Sequence, residues 1–247
     1  MSEKLFYYLK GYGKQIMNID EKLEDLQNLI GLKFADTANL RSAISHSSFV
    51  NELKVNKWED YERLEFLGDA VLEIVSSDFL YRRHPDMPEG DLSKLRASLV
   101  CEPSLAFTAK RMNLSDYILL GKGEDASGGR NRNSILSDVF EAIIGAVYLE
   151  FGYMEAKNYI EKFLLNDISE NQLFVDSKSR MQIYVQSKDN MSLEYKVIEE
   201  TGPDHDKHFV VGLFINDELI CSGEGHNKKE AEQLAAYNGI KILTKEE

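Results

Sequence analysis

The 247 residues carry 29 Lys and Arg against 42 Asp and Glu, a formal net charge of −13, with 43% hydrophobic and 29% charged residues. That balance is globular rather than disordered, the length allows one large domain or two ordinary ones, and the bulk acidity argues against a nucleic-acid partner gripped by net charge alone. The longest central apolar run, residues 142–149, is too short to span a bilayer. The start, Met1-Ser2-Glu3-Lys4, does not read as a secretory signal. The expectation is therefore a cytoplasmic protein without membrane contact. Cys101 and Cys221 leave open one long-range disulfide or two free thiols, and free thiols are expected in such a chain.

In chain order, residues 1–16 form an N-terminal extension in which Phe6, Tyr7, Tyr8 and Tyr12 stand beside Lys4, Lys10 and Lys14. Such a segment can stack on RNA, trail as a mobile tail or add a dimer contact. Helical spacing follows at Leu23, Leu26, Leu29 and Ile30, then at Leu64, Leu67, Val71, Leu72 and Val75. It continues over residues 92–100 and from Ser134 to Phe151, with Gly152 placed to end that helix. Residues 17–167 thus read as an all-α domain, and the polar run 168–175 as a linker. Residues 176–247 change texture. A helix near 178–187, strands at 193–198, 209–215 and 219–225, and a helix at 228–243 make a small α-β-β-β-α unit, one sheet covered on one face by helices.

The stretch Glu62-Arg63-Leu64-Glu65-Phe66-Leu67-Gly68-Asp69-Ala70 places Glu62, Glu65 and Asp69 at i, i+3, i+7, on one stripe of a helix. Leu64, Phe66, Leu67, Val71 and Leu72 around them predict a core helix. Like charges on a largely buried helix repel and lose solvation unless a cation or a proton resolves the cost. Asp138 and Glu141 repeat the arrangement within the apolar run 135–146, and Gly68 and Gly145 would let two such helices approach closely. Carboxylate oxygens are the hard donors preferred by Mg²⁺ and Mn²⁺. A solvated acidic face is the competing reading of the spacing by itself.

The nine residues Glu62–Ala70 match the signature of ribonuclease III, the divalent-metal-dependent endonuclease of double-stranded RNA. Residues 40–49, 89–96, 128–130 and 134–142 resemble the family's other blocks in order, with Ser45 where threonine is usual. The resemblance implies that Glu65, Asp69, Asp138 and Glu141 bind the metal. It further implies that Asp69 and Glu141 are catalytic, Glu141 being the one whose loss abolishes cleavage. Glu62 and Glu89 would lie near the interface of a homodimer. It implies Mg²⁺ as cofactor with Mn²⁺ able to substitute, double-stranded RNA rather than a small molecule as substrate, and 5′-phosphate and 3′-hydroxyl ends with short 3′ overhangs. Ribosomal RNA precursors and other structured RNAs are the implied substrates. His46 and His84 are read as structural.

The second unit resembles a double-stranded RNA-binding domain, through residues 176–179 with Gln182, through Gly202-Pro203-Asp204-His205, and through residues 223–232. The resemblance implies RNA contacts by Gln182, His205, Lys228 and Lys229. Two features depart from the pattern. Ile183 stands where glutamate is usual after Gln182, and the unit carries more acids than bases. A protein-interaction module on the same fold is the alternative. The clustering of Lys228 and Lys229 at a helix start favours RNA, because phosphate attraction follows the local field.

Overall fold

The computed structural model describes residues 13–53, 59–166, 168–188, 191–203 and 207–243. In the first unit, α1 (Gly13–Ile30) lays Ile19, Leu23, Leu26 and Ile30 on the core at three- and four-residue intervals. It begins inside the expected N-terminal extension, and residues 1–12 lie outside the described residues. Short helices α2 (Ala38–Ala43) and α3 (Ser47–Leu53) lead to α4 (Glu62–Arg83), α5 (Glu89–Val100), α6 (Glu102–Arg111) and α7 (Lys122–Ala126). Then come α8 (Asn133–Phe151) and α9 (Tyr153–Ile160). Between Ile135 and Val147, α8 is buried on nearly every side, as an all-round apolar helix must be. Gly152 ends it at a φ of 81°, a left-handed conformation that glycine adopts without strain.

The crossing of α4 and α8 positions the candidate site. A β-carbon on Gly68 would lie 1.8 Å from the carbonyl oxygen of Glu141, and one on Gly145 would lie 2.3 Å from that of Leu64. The two backbones therefore touch where side chains would normally separate them. Glycine inside a helix costs about 1 kcal/mol relative to alanine, and here that cost brings two carboxylate-bearing helices together.

The second unit opens with α10 (Ile168–Gln186). The linker expected at 168–175 is thus helical. Its polar composition is compatible with either state, and long-range contacts decide: the Ser177 hydroxyl donates to the Gln233 carbonyl, and Gln233 Nε2 donates to the carbonyls of Phe174 and Val175. Strands β1 (Leu193–Thr201), β2 (His208–Ile215) and β3 (Glu218–Gly225) form one antiparallel sheet in that order. Asn216 and Asp217 join β2 to β3 with both φ angles positive, 51° and 64°, the mirror-image turn that matches strand twist. α11 (Lys228–Leu243) and α10 cover one face through Met181, Val185, Leu213, Ile215, Ala235 and Ile240.

The two units meet along α6. Phe107 stacks on Phe174 (centroids 4.2 Å apart, planes at 11°), and Tyr237 stands edge-on to both at 5.4 and 5.6 Å. Lys110 of α6 pairs with Glu230 of α11. Both cysteines are free thiols. Among the described residues, no helix is long and apolar enough to cross a membrane.

Candidate active site

Glu62, Glu65 and Asp69 occupy the first two turns of α4, and Asp138 and Glu141 stand on the facing side of α8, at the glycine crossing. Glu62 and Asp69 are exposed, whereas Glu65, Asp138 and Glu141 are half-buried. The carboxyls of the buried members respond to burial first and to their acidic neighbours second. Burial first, and then the charges of Asp138, Glu62 and Asp69, push the Glu65 carboxyl up to about 7. Burial followed by Asp69, Glu65 and Asp138 pushes Glu141 up to about 8. Asp138 is raised by burial, against hydrogen bonds from Tyr61 and Ser137 that lower it. The charges acting most strongly on Glu65 and Glu141 are all negative.

This donor set fits a divalent cation. The oxygens are hard, they come from two rigid elements, and their mutual repulsion is the term that a cation removes. Among the described residues, no three His, Cys, Asp or Glu side chains are drawn in tightly enough to ligate one ion as they stand. The four carboxylates act on one another electrostatically without standing at ligating range.

Glu89 is exposed at the start of α5, where its Oε1 accepts the Ser93 hydroxyl at 2.8 Å. It lines a groove between α4 and α5 with Ile74, Tyr81, Leu92 and Arg96. Phe66 departs from the sequence expectation. It is among the apolar neighbours from which a core helix is expected, yet it is out of step with the buried stripe Leu64, Val71, Leu72 and Val75 and is 80% exposed, and Ile74 (58%) and Tyr81 (73%) continue its exposed face of α4. Helical periodicity marks an apolar stripe but does not say what covers it. Tyr61, which precedes the carboxylate stretch and donates to Asp138 Oδ2 at 3.4 Å, carries no signal in the sequence pattern. No spacing rule singles out one tyrosine ahead of a helix.

In the second unit, Lys228 and Lys229 are exposed on the first turn of α11. A reciprocal cap fixes that turn: the Glu230 amide donates to Asn227 Oδ1 at 2.9 Å, and Glu230 Oε2 accepts the His226 amide at 3.1 Å. Lys228 lies over the Phe209 ring, 5.6 Å from its centroid. Neither lysine has an ion-pair partner among the described residues, whereas Lys178 and Lys196 are tied to Glu232 and to Glu194 and Asp217. Gln182 is exposed on α10, with Ile183 beside it 66% exposed. His205 lies outside the described residues.

Comparison with known proteins agrees with both units. Residues 36–168 match the family described as Ribonuclease-III-like, and residues 177–243 match the double-stranded RNA binding motif. The chain is 48% identical over 223 residues to Ribonuclease 3 of Pelotomaculum thermopropionicum, covering 89% of this chain and 92% of that protein. It is 41% identical over 232 residues to Ribonuclease 3 of Staphylococcus epidermidis, covering 93% and 95%. Among solved structures, the nuclease domain of ribonuclease III from Campylobacter jejuni superposes with a TM-score of 0.53 at 43% identity, covering 60% of this chain and 94% of that domain. With both units matched in order, and with relatives aligned along about nine-tenths of its length, the chain belongs to the ribonuclease III family of double-strand-specific endoribonucleases.

Proposed function

We propose that the chain is a Mg²⁺-dependent, homodimeric nuclease of the cytoplasm. On this reading it hydrolyses structured RNA duplexes, ribosomal RNA precursors among them, to 5′-phosphate and 3′-hydroxyl ends with short 3′ overhangs. The observation that carries the reading is the convergence of Glu65, Asp69, Asp138 and Glu141 at the α4–α8 crossing, on a chain that also bears a duplex-RNA-binding unit. Water attacking phosphorus puts negative charge on the non-bridging oxygens and on the departing 3′ oxygen. A divalent cation, when bound, supplies the positive charge that stabilises those oxygens and acidifies a water molecule. Mn²⁺ presents similar preferences for oxygen donors and substitutes.

The carboxylates divide the work between them. Glu65 and Glu141, whose carboxyls are raised to about 7 and about 8, would hold a cation as carboxylates, so its binding would displace whatever proton they carry. Asp69, exposed on α4, is the foremost charge acting on Glu141 of α8, which supports reading the two as the catalytic pair. Dimerisation is supported by the exposed stripe Phe66, Ile74 and Tyr81, which runs beside the groove containing Glu89 and starts near Glu62. A second Campylobacter jejuni structure, 45% identical with a TM-score of 0.51, is described as flexible in a region involved in dimer formation. Two sites related by a dimer axis would each cut one strand, which yields the staggered ends. Gln182, Lys228 and Lys229, exposed on α10 and α11, are read as presenting polar and cationic groups to duplex RNA, and His205, outside the described residues, is proposed as a further contact on the resemblance alone.

The test is cleavage of labelled duplex and single-stranded RNA in Mg²⁺, in Ca²⁺ and in chelator, with Glu141→Gln alongside. Cutting of the duplex alone, in Mg²⁺ alone, is expected, with Glu141→Gln retaining binding but losing cleavage by at least about a thousandfold. Cutting in chelator would sink the metal reading. Tight binding without cutting by the unaltered protein would make it a duplex-binding protein instead.

A further inference from the structure

Tyr61 is the residue around which the two carboxylate helices are assembled. Its carbonyl accepts the amide of Glu65 at 2.8 Å and so opens α4, while its own amide donates to the carbonyl of Ser45 at 3.0 Å. The ring is 5% exposed and lies 5.7 Å from the imidazole of His46. That imidazole is fixed in turn by Ser48, whose hydroxyl is 2.7 Å from Nδ1. From this wall the phenol reaches α8, where it donates to Asp138 Oδ2 at 3.4 Å, while the Ser137 hydroxyl, 3.4 Å from Asp138 Oδ1, gives its one proton to the Ser134 carbonyl at 2.8 Å.

We propose that Tyr61 is a positioning residue whose hydroxyl, donating to Oδ2 from a buried ring, restrains the Asp138 carboxylate so that its free lone pairs face the cation site. A donor held on one oxygen opposes rotation about the Cβ–Cγ bond, as the hydrogen-bonded neighbours of metal ligands commonly do. The inference rests on the reading of Asp138 as a metal ligand. It also gives the block at 45–48 a physical role, because Ser45, His46 and Ser48 build the wall that aims the phenol.

The experiment measures Mn²⁺ binding calorimetrically to the full chain without RNA, for the unaltered protein, Tyr61→Phe, Tyr61→Leu and Asp138→Asn. Melting temperature in chelator and the Mn²⁺ dependence of duplex cleavage are recorded in parallel. Tyr61→Phe is expected to keep the melting temperature and the KM for RNA, to bind Mn²⁺ about tenfold more weakly, and to shift half-maximal cleavage to higher Mn²⁺ by a similar factor. Tyr61→Leu is expected to lose Mn²⁺ affinity to the same extent while also melting earlier. If Tyr61→Phe binds like the unaltered protein and only Tyr61→Leu is weakened, the ring serves packing alone and the proposal falls while Asp138 remains a ligand. If Asp138→Asn binds Mn²⁺ normally, the ligand reading itself is overturned, and the role of Tyr61 with it.

Discussion

Glu65 and Glu141 are carboxylic acids for which the fold does no favour in the absence of a cation. Their carboxyls are raised to about 7 and about 8 from an ordinary value of 4.5, by burial and then by one another and their acidic neighbours. A raised carboxyl binds its proton more tightly in the folded chain than in the unfolded one. The stability it contributes is therefore fully present below about pH 4.5 and is lost as pH rises through the folded values near 7 and 8. In chelator, the melting temperature should fall between pH 6 and pH 9. Glu141→Gln, which keeps the shape and removes the charge, should melt higher than the unaltered protein at pH 9 and show a shallower slope. Mg²⁺ should restore the unaltered protein at pH 9 far more than the variant. A flat melting profile in chelator from pH 6 to 9 would mean that these carboxylates are not electrostatically strained. The acids themselves are legible in the sequence, because i, i+3, i+7 spacing maps directly onto a helix face. Their closeness across two helices, and the Tyr61 hydroxyl that reaches Asp138, belong to tertiary contacts that no single segment encodes.

At the level of elements, the site depends on two helices touching at glycine. Gly68 and Gly145 are legible as small residues beside the acids, and the structure supplies the reason: each faces the other helix's backbone. Gly68→Ala gains about 1 kcal/mol of helix propensity, but its methyl group collides with the Glu141 carbonyl, a backbone atom that cannot swing aside. Overpacking of this kind costs about 1–3 kcal/mol. A net loss of stability by urea unfolding is expected, together with a loss of cleavage of about a hundredfold, because the carboxylates separate with the helices. Full activity in a stable Gly68→Ala would show that the crossing does not set the site. Two other elements resist reading for a shared reason. Phe66 is apolar like its core neighbours but lies on a face of α4 that the described residues leave exposed. The segment 168–175 has the composition of a linker but is helical, with Phe174 stacked on Phe107 of the preceding unit. In both cases the deciding contact lies far away in sequence or on another surface.

For the whole molecule, the net charge of −13 conflicts with RNA binding only if charge is treated as uniform. Part of it is concentrated at the carboxylate crossing, where a cation would offset it. In the second unit, ion pairs occupy Lys178 and Lys196, while Lys228 and Lys229 stand unpaired among the described residues on the first turn of α11. The acid in that same turn, Glu230, is neutralised from the other unit by Lys110. The docked arrangement thus leaves a positive local field at a helix N-terminus, where exposed amides also favour phosphate. Duplex affinity should therefore rest on few cations. The double change Lys228→Ala with Lys229→Ala should lower affinity about tenfold or more at ~0.15 M salt and flatten the dependence of log affinity on log salt by about one for each lysine lost. Lys178→Ala, which removes a cation already committed to Glu232, should change both quantities much less. Binding measured in chelator across a salt series separates this from any effect on cleavage. Equal losses from Lys178→Ala and from the double change would place the RNA-binding field across the domain at large rather than at the start of α11.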